Sequence, residues 1–143
     1  MATKPAKKTT TKTADAGAAK PAKAASKRKL AYAVLHIQST YNNTKVVLAD
    51  EKGNSIAHSS SGALGFRGAK KGTPFAAAKI GEVLADKAIL MGVKEVGVVV
   101  KGTGSGRESV VRSFIAKGIT IDSIKDRTPV PHNGPKPKKP RRI

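Results

Sequence analysis

Three stretches of this chain carry residues whose type and spacing suit the binding of phosphate. The first is Lys101-Gly102-Thr103-Gly104-Ser105-Gly106-Arg107, a glycine-rich loop between a β-branched run and a helical pattern. Strand, glycine loop and helix in that order can cradle an anion: N–H groups at a helix start face it, and Lys101 and Arg107 add charge. The loop is not a Walker A sequence, because no Gly-Lys-Ser/Thr follows at the required spacing. Nor is it a dinucleotide fingerprint, since the glycines fall as GxGxG and Arg107 occupies the place of the third. It reads as a contact for a nucleic-acid phosphate or as a purely structural turn.

The second stretch is Gly62-Ala63-Leu64-Gly65-Phe66-Arg67-Gly68-Ala69-Lys70-Lys71-Gly72-Thr73-Pro74. Its four glycines let the backbone run close to another chain. Arg67, Lys70 and Lys71 stand just before a helix start, where positive charge disfavours the helix and an incoming phosphate would relieve the cost. The alternative is a solvated, flexible loop.

The third stretch is the end of the chain, from Asp126-Arg127-Thr128-Pro129-Val130-Pro131-His132-Asn133-Gly134 to Pro135-Lys136-Pro137-Lys138-Lys139-Pro140-Arg141-Arg142. Prolines at 129, 131, 135, 137 and 140 hold the backbone near polyproline II, so the basic side chains project along a semi-rigid strand. Such a strand is suited to threading between phosphates. Within it, Asn133-Gly134 is open to succinimide formation, and partial conversion of Asn133 to isoaspartate is expected. Peptide mapping of aged, native protein tests that, and finding only unmodified Asn133 would remove it.

Catalysis has little support. Seven acids in residues 30–124 are scattered singly, on predicted helix surfaces (Glu82, Asp86) or in a turn (Asp50, Glu51). His36, His58 and His132 are widely separated and show neither ligand spacing nor a Ser/His/Asp set. There is no Cys, so disulfides and thiolate metal sites are excluded. No catalytic residue, metal or cofactor is expected.

The charge predicts a polyanionic partner. Lys+Arg number 28 against 9 Asp+Glu, a formal net charge of +19. It is concentrated at the ends: residues 1–29 carry +8, residues 125–143 carry +6, and residues 30–124 only +5. No apolar run approaches the ~20 residues of a membrane span, and the basic segments lack the apolar face of an interfacial helix. The first residues hold no apolar core of a secretory signal, so a reducing cytoplasm is the expected location. Residues 1–29 lack Val, Ile, Phe and Trp and should be disordered when free, as a solubilising tail or a phosphate-binding arm.

The elements that must position these stretches lie between the basic ends. Residues 32–39 alternate, with Val34, His36 and Gln38 on one face, and residues 45–50 contain Val46, Val47 and Leu48. Tyr41-Asn42-Asn43 and Glu51-Lys52-Gly53-Asn54 are turn signals, the second leading to a strand over residues 55–60. Thr73 as N-cap and Pro74 open a helix with Ala76, Ile80, Val83, Leu84, Ala88 and Met91 on its apolar face, closed by Gly92. Residues 96–100 form a β-branched run expected of a strand buried on both faces. Ser105 and Glu108 stand at capping-box spacing before a second helix with Val110, Val111, Phe114 and Ile115 toward the core. Ile119, Ile121 and Ile124 suggest a last strand. The expected fold is α/β: a single domain over residues 30–126 with a mixed five-stranded sheet in the order βββαβαβ and two packed helices. A disordered tail (1–29) precedes it and an extended arm (127–143) follows it.

In these same residues the chain resembles the bacterial small-ribosomal-subunit proteins of the S-eleven family. The resemblance rests on Asn42-Asn43-Thr44, on residues 65–71 running into Thr73-Pro74, on residues 101–108 and on residues 126–134, in family order over about 30–143. It implies an α/β domain held on small-subunit ribosomal RNA at the platform, near the messenger RNA exit and the Shine-Dalgarno region. It also implies neighbouring platform proteins and messenger RNA near the exit as contacts, a cytoplasmic ribosomal location, and neither a membrane nor a homo-oligomer. Family members commonly have Cys-Arg after the His-Asn-Gly turn; here Pro135-Lys136 follows, and a lysine cannot make the planar bidentate phosphate contact of arginine.

The expected RNA-binding set follows the three stretches and the first turn. It comprises Asn42 and Asn43; Arg67, Lys70, Lys71 and Thr73; Lys101, Gly102, Gly104, Arg107 and Arg112; and Arg127, Thr128, His132, Asn133, Gly134, Lys136, Lys138, Lys139, Arg141 and Arg142. The five aromatics are expected mostly in the core, so base stacking should be minor beside phosphate contact and shape. Two rivals remain: a nucleoid or linker-histone-like DNA protein, prompted by residues 1–29, and a small nucleotide-binding transferase, prompted by the glycine loop.

Overall fold

The computed structural model describes residues 29–142, so the expectations for the basic tail fall almost wholly outside the described residues. Strands β1 (Tyr32–Ser39), β2 (Thr44–Ala49) and β3 (Ser55–Ser60) precede α1 (Pro74–Leu90), β4 (Glu95–Lys101), α2 (Arg107–Ala116) and β5 (Thr120–Asp126). The strands form one sheet in the order β3-β2-β1-β4-β5. The β1–β2 and β2–β3 pairs are antiparallel, whereas β1–β4 and β4–β5 are parallel. This is the expected meander followed by a βαβ unit.

Strand periodicity decides which side of the sheet is covered. Ala33, Leu35 and Ile37 of β1 are buried, and the register sets Val46, Leu48, Val96, Val98 and Val100 on the same side. Ala77, Ile80, Leu84, Ala85 and Ala88 of α1 and Val110 and Phe114 of α2 complete one core there. Each Val, Leu, Ile or Phe among them contributes about 1.5–3 kcal/mol when fully buried. Both helices lie on this side. The other side carries exposed His36, Gln38, Lys45 and His58, with Val34, Val47 and Val99 half-buried. The β-branched run of β4 is thus fully buried toward the helices and partly covered on the other side, where Gly97 is buried and Val99 half-buried. Tyr32 lies over Gly97 on the open side, where an added Cβ would come within 2.4 Å of its hydroxyl.

The helix ends match the sequence at α1 and depart from it at α2. Thr73 caps α1, its hydroxyl accepting from Ala76 N at 3.4 Å with Pro74 in the first turn, and Gly92 follows at φ 83°. The capping box expected at α2 is not formed: Gly106 is the N-cap, and no side chain caps it. Ser105 instead donates to the Gly72 carbonyl at 3.1 Å, and Glu108 pairs with Arg112. The core face of α2 is also narrower than its pattern predicts, since Ile115 is exposed and Val111 half-buried. The cause is the crossing with α1, where Gly81 admits Ser113 so closely that a Cβ would lie 2.7 Å from that of Ser113. Ser113 also donates to the Ala78 carbonyl at 3.1 Å, which turns the Val110–Phe114 side inward.

A candidate nucleic-acid interface at one end of the sheet

The three parallel strands β1, β4 and β5 end together, and β2 begins at the same edge. In open α/β sheets this carboxyl end is where ligands gather, because the connections leave the sheet there. Here four segments converge: the β1–β2 turn, the β3–α1 loop, the glycine loop after β4, and the chain leaving β5.

A small buried polar cluster fixes the first two. Ser39 and Thr44 continue the buried parity of their strands, and their hydroxyls meet at 3.2 Å. Thr44 N donates to Ser61 Oγ at 3.3 Å, and Ser61 Oγ donates to Asn43 Oδ1 at 2.6 Å. Thr40 closes the turn, its hydroxyl bonding both the N–H and the carbonyl of Asn43 at 3.1 Å. The β3–α1 loop then contains a 3-10 turn over Gly68–Gly72 whose last turn is Lys70 and Lys71. At Gly72 the backbone passes so near Tyr41 that a Cβ would lie 2.0 Å from the Tyr41 carbonyl oxygen.

The glycine loop is closed from within. Gly102 N donates to Thr128 Oγ1 at 3.2 Å, and Gly104 N donates to the Ser39 carbonyl at 3.0 Å. An added Cβ would come within 2.1 Å of Ser39 O at Gly102 and 2.6 Å of Thr40 O at Gly104. These glycines let the loop seat against the β1 end, and both of their N–H groups are already donated. Of the two readings left open by the sequence, the structural turn accounts for these two amides.

Arg107 is similarly engaged. Its guanidinium donates to Asp126 Oδ2 at 2.8 Å and to the Gly102 carbonyl at 3.1 Å. Asp126 Oδ1 in turn accepts from the Thr128 hydroxyl at 2.6 Å and from its N–H at 2.9 Å. The root of the C-terminal arm is thus tied to the glycine loop through Arg107, Asp126 and Thr128. These bonds hold the Asp126 carboxyl below its ordinary value, the Thr128 hydroxyl and N–H first and Arg107 after them. Because the folded value is depressed, the contribution to stability is whole above the unfolded aspartate value and is lost as pH falls through the folded one. Asp126→Ala should therefore lower the urea midpoint near neutrality, and the gap to the parent should close on acidification. A gap that widened in acid would contradict the assignment.

The other expected residues fall into two groups. Arg67, Lys70, Lys101 and Arg127 are exposed, Lys71 is partly so, and among the described residues none of the five is in an ion pair. They ring the convergence, and the first turn of α1 contains no acid to offset them. Asn42 is exposed beside them, whereas Asn43 already accepts from Ser61 and Thr73 serves as the α1 cap. Arg112 is carried on α2 and meets Glu108 at 3.2 Å.

Beyond Thr128 the arm has no helix or strand through residue 142 and is exposed. His132 Nδ1 lies 3.1 Å from the Val130 carbonyl. Asn133 adopts φ 53°, a left-handed conformation that asparagine tolerates better than most residues. Gly134, Lys136, Lys138, Lys139, Arg141 and Arg142 follow along the exposed strand.

The aromatic residues correct an expectation. Only Phe114 is in the core; Tyr41 and Phe75 are 78% and 64% exposed, and both stand at this end of the molecule. Tyr41 is an aromatic set in a turn signal rather than on an alternating apolar face, and that position was the available cue. Ser39, Thr44 and Ser61 were also missed. Extending the buried parity of β1 and β2 to their polar ends would have found the first two.

A family model described as Ribosomal protein S11 matches residues 33–142, a span that contains every candidate residue named above. The chain is 51% identical over 128 residues to "Small ribosomal subunit protein uS11" of Solibacter usitatus (strain Ellin6076), covering 90% of this chain and 95% of that protein. The chain therefore belongs to the ribosomal protein S11 family.

Proposed function

We propose that this chain holds small-subunit ribosomal RNA at the convergence of its four segments and threads the C-terminal arm between phosphates. It is a structural, non-enzymatic ribosomal protein of the small subunit, and its work is done by binding. The finer reading puts it at the platform, near the messenger RNA exit and the Shine-Dalgarno region, beside neighbouring platform proteins, within the cytoplasmic ribosome.

One observation carries the RNA reading: Arg67, Lys70, Lys71, Lys101 and Arg127, drawn from three separate segments, share one end of the sheet with no carboxylate paired to them among the described residues. Such a ring is self-repelling until a polyanion occupies it. Asn42, His132 and the arm cations extend the surface. Arg107, Asp126, Thr128, Gly102 and Gly104 act as positioning residues that aim the arm. Against the nucleotide-binding rival stand the Gly102 and Gly104 amides, which are already donated to Thr128 and to the Ser39 carbonyl. The exposed Asn133-Gly134 step remains a proposed site of isoaspartate formation.

The test is binding of full-length protein to transcribed small-subunit ribosomal RNA over a range of salt, together with co-sedimentation with small subunits. The affinity should fall by about 0.7–0.9 log units per log of salt for each phosphate neutralised. A flat salt response, or sedimentation with DNA instead of small subunits, would sink the proposal.

A further inference from the structure

Tyr41 is the least explained side chain at this end of the molecule. It sits at the tip of the β1–β2 turn, 78% exposed, and forms no side-chain hydrogen bond among the described residues. Its backbone, by contrast, is clamped. Thr40 N donates to the Asn43 carbonyl at 2.8 Å, Gly72 packs on the Tyr41 carbonyl, and Gly104 packs on that of Thr40. Two glycine backbones from different loops thus hold the turn from both sides. A large aromatic is carried on a rigid support with its ring in water.

Its surroundings point to one class of occupant. The loop with Arg67, Lys70 and Lys71 packs on this turn at Gly72, and the loop after Lys101 packs on it at Gly104. Cations on both sides would fix a nucleic-acid backbone, and an aromatic between them is where a base would lie. Phe75 is exposed too, but its ring already meets Phe66 edge-on at 6.1 Å, with Lys79 Nζ 5.9 Å from its centre. Among the described residues Tyr41 has no aromatic or cationic partner of that kind. The other exposed apolar residues, Ile89 and Leu90 at the end of α1, Ile115 on α2, Ile124 on β5 and Val130 in the arm, are aliphatic and offer no π-face.

We propose that Tyr41 is a stacking platform for one unpaired base of the bound RNA. The inference rests on the RNA-binding reading above and deepens it. A base inside a duplex has both faces covered, so the partner is a base in a loop, bulge or single strand. Stacking of this kind tolerates any base, because every base has a π-face. The platform adds affinity without neutralising phosphate, so its contribution is insensitive to salt.

The experiment uses full-length protein and transcribed small-subunit ribosomal RNA, with Tyr41→Phe, Tyr41→Leu and Tyr41→Ala compared over the same salt series. The exposed position leaves folding intact, which a thermal melt of each variant checks. Tyr41→Ala should weaken binding by about 5- to 150-fold, with the slope of log affinity against log salt unchanged. Tyr41→Phe should stay within about twofold of the parent, Tyr41→Leu should fall well below it, and ultraviolet crosslinking should join the Tyr41 peptide to a single-stranded nucleotide. The proposal is overturned if Tyr41→Ala binds like the parent, or if Tyr41→Phe is as weak as Tyr41→Ala, which would assign the hydroxyl. It also fails if Tyr41→Leu matches the parent, as a surface for an apolar protein partner would allow. A parent with no salt-dependent RNA binding would defeat the RNA reading itself; a binding parent matched by Tyr41→Ala would defeat only the stacking.

Discussion

Gly102→Ala should destabilise the folded protein by about 2–6 kcal/mol, from the combined cost of left-handed strain and overpacking. Gly102 has φ 98°, a conformation that strains any residue with a Cβ, and that Cβ would lie 2.1 Å from the Ser39 carbonyl oxygen. The clash is with backbone, so no rotamer change relieves it. Relief requires moving the loop, which breaks the Gly102 N–H bond to Thr128 and the Arg107 bond to the Gly102 carbonyl. A domain stable by about 5–15 kcal/mol loses a large part of its margin in that way. Urea unfolding measures the loss, and a change below about 1 kcal/mol would show that the loop seats less tightly than described. RNA binding should fall as well, because the same bonds aim the arm.

Removing residues 129–143 should separate the two effects, leaving stability alone and weakening RNA binding by about 100-fold or more. The segment contains Lys136, Lys138, Lys139, Arg141 and Arg142, and its one described side-chain hydrogen bond, from His132, is internal to the arm. If each of the five cations neutralises one phosphate, the salt slope should shrink by about 3.5–4.5. Deleting residues 1–28 should cost less in a reconstitution assay despite the charge removed, because prolines at 129, 131, 135, 137 and 140 limit the entropy that the C-terminal arm loses on binding. Equal or reversed losses would contradict the inequality between the two ends. An unchanged unfolding midpoint in the arm deletion is the accompanying control.

Local signals in the sequence located the elements well. The alternation in residues 32–39, the Thr73-Pro74 start and the Gly92 stop of α1 each rest on neighbours within a few residues, and each appears in the structure. The site was read less completely for reasons of distance. Arg107 pairs with Asp126, 19 residues on, because the parallel β4–β5 register brings them to one edge, and no spacing rule reports that. The glycine loop was ambiguous for another reason. Cradling a phosphate and seating against a neighbouring strand both require a missing Cβ, so the residues alone cannot distinguish them. Ser105 shows the same limit: its capping-box spacing was present, but the Gly72 carbonyl took the hydroxyl.

The outermost strands bear on the protein's life before assembly. A sheet edge offers unpaired N–H and C=O groups to any passing chain. Both outer pairings here are irregular, with register shifts at Leu48/Ala49 beside β3 and at Val96/Gly97 beside β5. Strand β3 is rich in serine, and β5 carries Asp122, Lys125 and Asp126 around its exposed Ile124. Twisted, charged edges discourage strand-to-strand addition between copies. Newly made protein waiting for RNA is thereby protected against fibrous self-association, and its positive charge adds repulsion between molecules to the same end.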